Sequence, residues 1–229
     1  MLPVVVQNNR VHVGDRFSVS LQRTDRVAEL TQPPVSRGQL PVRQLSTELL
    51  RSFRLDVRAG PIVVGPCDEQ EAVWLGFSGE NSRRVVLKIG QRQVNAVSGT
   101  EWDESLHEPQ DYLVTPDQTC WYGIRTSDGR TRQFSRDPIE VVLYEPRQAD
   151  DPPARKASWA QEFYGLDQNA EQREPTSFPI VPDPKGIEHW SVAPSGRVSI
   201  YFVDSELWKA LTGDALAPPS ESYQGNLLP

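Results

Sequence analysis

Proline constrains this chain more than any other residue: 20 of 229 positions, about 9% against a usual 5% or so. Each Pro lacks a backbone N–H and breaks a helix interior. Spread along the chain at this density, they disfavour a helical bundle and favour short strands joined by turns. Between the prolines the apolar residues alternate with polar ones, as half-buried strands require. Phe17-Ser18-Val19-Ser20-Leu21 does so, and so does Phe53-Arg54-Leu55-Asp56-Val57. Further strands are expected at 62–64, 72–77, 85–89, 94–97, 112–114, 121–124, 131–134 and 139–144. Turn chemistry separates them, and Ser127-Asp128-Gly129-Arg130 reads as the tip of a hairpin.

About ten strands spaced 8–15 residues apart imply an all-β fold, a β-sandwich or jelly-roll-like barrel. No helical period of 10–15 residues interleaves them, so crossover helices are not expected. Leu45 to Arg51, with a Ser/Thr start, and Trp102 to His107 read as short lid helices. Residues 1–147 form the expected sandwich domain, and Glu145 to Pro153 is a polar, Pro-rich break. Residues 148–229 read as a Pro-rich extension. It carries a short amphipathic helix somewhere in 155–174, one strand at 197–203 and one short helix at 205–212. The helix is capped by Asp204 and Ser205 and closed by Gly213. One strand and one helix bury little alone, so this extension is expected to pack on the sandwich.

Charge narrows the partners. Lys and Arg number 24 and Asp and Glu 31, a net charge of −7. Nucleic acid and anionic membranes call for a cationic face, so neither is an expected partner, and no run approaches the roughly 20 apolar residues of a membrane span. The first ten residues lack a secretory pattern. Cytoplasmic residence is the expectation, with non-classical export the alternative. Cys67 and Cys120 form neither a disulfide framework nor a metal pattern.

The blocks Glu71-Ala72-Val73-Trp74-Leu75-Gly76-Phe77, Val94-Asn95-Ala96-Val97-Ser98-Gly99, Pro109-Gln110-Asp111-Tyr112-Leu113-Val114 and Arg132-Gln133-Phe134 occur in that order. With the segments Phe17–Thr24, Asp183-Pro184-Lys185-Gly186-Ile187 and Arg197–Gly213, the chain resembles a widespread family of uncharacterised microbial β-rich proteins. The resemblance implies a shared fold and no activity, ligand or catalytic residue. The chain departs from the family at Gln118-Thr119-Cys120-Trp121-Tyr122-Gly123, where members have Gln-Pro-Trp-Leu-Asp-Gly. It also lacks their glycine-rich segment after the Arg-Gln-Phe strand.

Residues 101–111 are the densest polar cluster. If 102–107 is helical, Asp103 and His107 lie one turn apart on one face. A carboxylate and an imidazole so placed, with Asp111 nearby, can serve as general acid and base. The plainer reading is a solvated acidic loop over the sandwich, and no second His lies close enough to complete a metal site. Trp102, and Trp121 with Tyr122, are candidate ligand-binding residues, because an aromatic ring beside carboxylates and amides stacks on the apolar face of a sugar. The plainer reading is packing, which is the expectation for Trp74. There is no Gly-x-Ser-x-Gly elbow and no phosphate-binding glycine loop.

The leading functional expectation is a non-enzymatic binding or structural protein, with assembly with itself or another chain as one form of it, without a cofactor or metal. The alternative is a carbohydrate-active hydrolase or lyase using carboxylates of 101–111, with a pocket lined by Trp102, Asp103, His107 and Asp111. A third reading is a carbohydrate-binding module with an aromatic platform.

Overall fold

A computed structural model describes residues 1–55, 60–79, 83–148 and 178–220. Its strands are β1 (Val4–Gln7), β2 (Arg10–Val13), β3 (Phe17–Asp25), β4 (Arg43–Gln44), β5 (Ile62–Pro66), β6 (Glu71–Gly79) and β7 (Val85–Gln91). They continue with β8 (Val94–Asn95), β9 (Leu113–Thr115), β10 (Cys120–Trp121), β11 (Gly123–Arg125), β12 (Thr131–Gln133), β13 (Ile139–Tyr144) and β14 (Gly196–Val203). The described residues also form two short α-helices, α1 (Thr47–Ser52) and α2 (Ser205–Thr212), and a 3-10 turn at Ile187–His189. Among the described residues the fold is all-β and sandwich-like, with two larger sheets and no closed barrel.

The smaller of these two sheets runs β1-β2-β3-β6-β10, and the larger runs β4-β5-β14-β13-β7-β8, with β9 also paired to β7. A two-stranded ribbon, β11-β12, stands apart and is the hairpin expected around Ser127–Arg130. Alternation decides what lies between the sheets. Val19, Leu21, Val73, Leu75 and Phe77 come from one sheet, and Leu87, Ile89, Val141, Leu143, Val198 and Ile200 from the other. All are buried in a single apolar cluster. The outer face of the larger sheet is covered at two places. Tyr201, Val203 and Val64 pack under Leu50 of α1 and under Trp208 and Leu211 of α2. Val86, Val142 and Tyr144 pack under Tyr112 and Trp190, with Trp102, Leu106 and Ile187 at the margin.

The extension supplies an inner strand. β14 pairs antiparallel with β13 and parallel with β5, so it sits inside the larger sheet. Asp204 caps α2 by accepting from the Leu207 amide at 2.7 Å, and Gly213 closes it at φ 79°. Residues 178–183 lie against the sandwich: Arg125 donates to Phe178 O at 2.8 Å, and the Val181 amide donates to Gln118 at 3.0 Å.

Four local expectations change. Val4–Val13 forms a hairpin that alternation did not signal; Asn8 and Asn9, at φ 51° and 58°, make its two-residue turn. Residues 53–55 are not strand: Phe53 caps α1 and Arg54 turns back at φ 62°, while 56 and 57 lie outside the described residues. Residues 102–107 are not helical. Trp74 sits on the outer side of β6, half-buried at an edge-on 5.7 Å from Tyr122 instead of inside the core. The helix expected within 155–174 falls outside the described residues. No described helix is long and apolar enough to cross a membrane.

Candidate functional site

Lys88 is the unusual residue of β7. Its neighbours on either side, Leu87 and Ile89, face the core, so Lys88 faces the covered outer surface, where it is 0% exposed. A buried ammonium requires compensation. Its Nζ lies 2.8 Å from Asp111 Oδ2 and 3.2 Å from Asp103 Oδ1, and it donates to Ser105 O. Asp111, itself 3% exposed, also accepts from Asn95 Nδ2 at 3.1 Å and from the His107 amide at 3.0 Å. His107 Nε2 meets Asp103 at 2.8 Å on the solvent side. Burial pushes the Asp103 carboxyl up, but hydrogen bonds from the Ser105 amide, His107 and Lys88 outweigh it and hold the acid below its usual range.

The candidate acid–base residues Asp103, His107 and Asp111 are therefore brought together, but around a lysine. This network ties the 103–111 loop to the sheet. The spacing of Asp103 and His107 is produced by a loop bound to Lys88, not by a helical turn. Among the described residues no three His, Cys, Asp or Glu side chains group as a metal ion would need.

Beside this network, between the two covers of the larger sheet, lies an open cleft of about 320 Å³. It is lined by Gly90, Arg92, Trp102, Asp137, Glu140 and Tyr201 among others. Its floor is the sheet itself, since Gly90 and Glu140 are cross-strand partners on β7 and β13. Glycine at position 90 is required by contact: a Cβ there would overlap the Trp102 ring, so the indole lies directly on the strand. The Trp102 amide donates to Gln93 O at 2.9 Å, and Lys88 Nζ lies 5.9 Å from the ring centroid.

The other walls are equally fixed. Gln91, 1% exposed, donates to Ser135 O at 3.1 Å and Asp137 O at 2.7 Å, and accepts from the Ser135 amide at 3.0 Å. Arg92 Nε pairs with Asp137 Oδ2 at 2.5 Å, and Ser199 donates to Glu140 at 2.6 Å. Arg92 and Gln93 form the β7–β8 turn at φ 54° and 60°. Positive φ at both positions is what a two-residue hairpin turn requires, as at Asn8 and Asn9.

Of the expected ligand-binding residues, Trp102 alone lines this cleft. Asp103, His107 and Asp111 do not line it, which corrects the expected grouping of the four in one pocket. Trp121 is 1% exposed inside the main core and donates to Ala96 O at 3.2 Å, so it offers no ring face to a ligand. Tyr122 is half-buried, with Trp74 and Phe178 at 5.7 Å and 4.7 Å. Glu140, Tyr201, Asp137 and Arg92 were missed because they come from separate strands and loops that only the sheet brings together. Cys67 and Cys120 are both free thiols and both buried. Burial raises each, Cys67 to about 11, so neither is disposed to act as a nucleophile at neutral pH.

Comparison with known protein families, curated proteins and solved structures finds no match to this chain.

Proposed function

We propose that this protein is a non-enzymatic binding protein whose ligand is a carbohydrate held in the Trp102–Tyr201 cleft. The observation that carries the reading is Trp102 itself: a half-buried indole seated on Gly90, walling a cavity with carboxylates on its floor and rim. An apolar ring face with hydrogen-bonding groups beside it suits a pyranose, which presents a CH face and a fringe of hydroxyls. The volume is near the lower end of small-molecule sites, suited to one or two sugar rings. The walls are pinned by Gln91, Gln93 and the sheet, so little ordering accompanies binding.

The acid–base alternative in 101–111 is disfavoured because Asp111 and Asp103 compensate Lys88. Hydrolysis retains one route, through Asp137 and Glu140, which share the cleft. A glycan array followed by tryptophan-fluorescence titration tests the proposal. Binding of at least one glycan, lost in Trp102→Ala and retained without turnover in the native protein, supports it. Binding that survives Trp102→Ala overturns the assignment to this cleft. Reducing-end release abolished by Glu140→Gln would replace the binding reading with the hydrolytic one.

A further inference from the structure

We infer that the cleft selects a ligand bearing a positive charge, an amino sugar with a free ammonium group, over neutral and anionic sugars. The inference rests on the carbohydrate reading above and adds to it the charge of the ligand. The lining carries one cation, Arg92, and two carboxylates, Asp137 and Glu140. The Asp137 carboxyl is held below its usual range: burial raises it, but hydrogen bonds from Ser135 and Arg92 outweigh that. Both carboxylates share the cleft lining with Trp102 and Tyr201. The protein as a whole carries −7, so its long-range field also disfavours an anion approaching this surface.

Arg92 does not reverse the preference. Its guanidinium lies on the rim, 58% exposed, and its Nε is engaged by Asp137. Glu140 sits on the floor, adjacent across the strands to Gly90, on which Trp102 rests. A sugar stacked on that indole therefore brings its ring substituents over a carboxylate. An ammonium substituent there gains a charge-assisted contact that a hydroxyl does not.

Four probes decide the matter: glucosamine, glucose, N-acetylglucosamine and glucuronate, titrated against native protein, Glu140→Gln and Trp102→Ala by saturation-transfer NMR. Native protein should bind glucosamine about threefold or more tighter than glucose, and glucuronate weakest. Glu140→Gln keeps the side chain's shape and should bring glucosamine and glucose to equal affinity. Trp102→Ala should weaken every sugar. Glucose or glucuronate binding as tightly as glucosamine overturns the charge preference alone and leaves the carbohydrate reading standing. A preference unchanged in Glu140→Gln overturns the role of the floor carboxylate. Failure of all four probes overturns both readings together.

Discussion

Lys88 Nζ and Asp111 Oδ2 lie 2.8 Å apart with neither side chain more than 5% open to solvent. The pair joins the larger sheet to the loop that carries Trp102. Its energetics are those of buried ions, where the penalty for leaving one charge alone exceeds the value of the pair. Asp111→Ala should destabilise the protein by about 3–5 kcal/mol in denaturant unfolding. Lys88→Met should cost less, because Asp111 keeps the Asn95 and His107 amide donors. The double variant Lys88→Met with Asp111→Ala should lose less than the sum of the two single losses. Additive losses would show that the two residues do not act as a unit.

Gly90 is the contact that seats Trp102. Gly90→Ala places a methyl against the indole and must displace it, at about 1–3 kcal/mol. Thermal unfolding should shift downward, and tryptophan emission should move to the red as Trp102 turns toward water. Unchanged emission would mean that the ring does not rest on this strand.

Cys67 makes alkaline stability a readout of burial. Its thiol is raised from 9.0 to about 11 by burial, with Glu71 adding to the effect. Below pH 9 both folded and unfolded chains keep the proton, and the group contributes no slope. Between pH 9 and about 11 the unfolded chain ionises first, so stability should fall as pH rises. The loss attributable to this thiol is about 2 kcal/mol by pH 11, read as the difference between native protein and Cys67→Ala. Both thiols should be slow toward a disulfide reagent until the protein is unfolded, when two equivalents react.

Asp137 acts in the opposite direction. Its carboxyl is held low in the folded protein by Ser135 and Arg92. Stability from this group is therefore fully present above the ordinary carboxylate range and is lost as pH falls through its folded value. Asp137→Asn should flatten the acid limb of the stability profile and loosen the turn at Arg92. An acid limb identical to that of native protein would remove Asp137 from the account.

The sandwich was legible because its inward residues alternate: Val19 and Leu21, or Val141 and Leu143, advertise a strand face one residue at a time. β14 and α2 were legible for the same local reasons, an apolar run and an Asp204 cap. Non-local pairing left no such trace. Nothing in Ile62–Pro66 marks it as the parallel partner of a strand well over a hundred residues later. The hairpin at Asn8-Asn9 had a signal, two residues tolerant of left-handed backbone, beside an apolar run that does not alternate. Lys88 also had one, a lone cation in Val85-Val86-Leu87-Lys88-Ile89. Trp102 was identified as a candidate from its loop, yet its companions Glu140 and Tyr201 are assembled only by strand register. Trp121 misled because its polar neighbours flank a ring that points inward.

The insertion of β14 between β5 and β13 bears on how the protein is made. Until residues 196–203 have been synthesised, β5 and β13 each present an open row of amides and carbonyls in the middle of the future sheet. A nascent chain halted before that point lacks the strand that hydrogen-bonds the two parts of the larger sheet together. Synthesis of β14 is therefore the step at which the larger sheet can be completed.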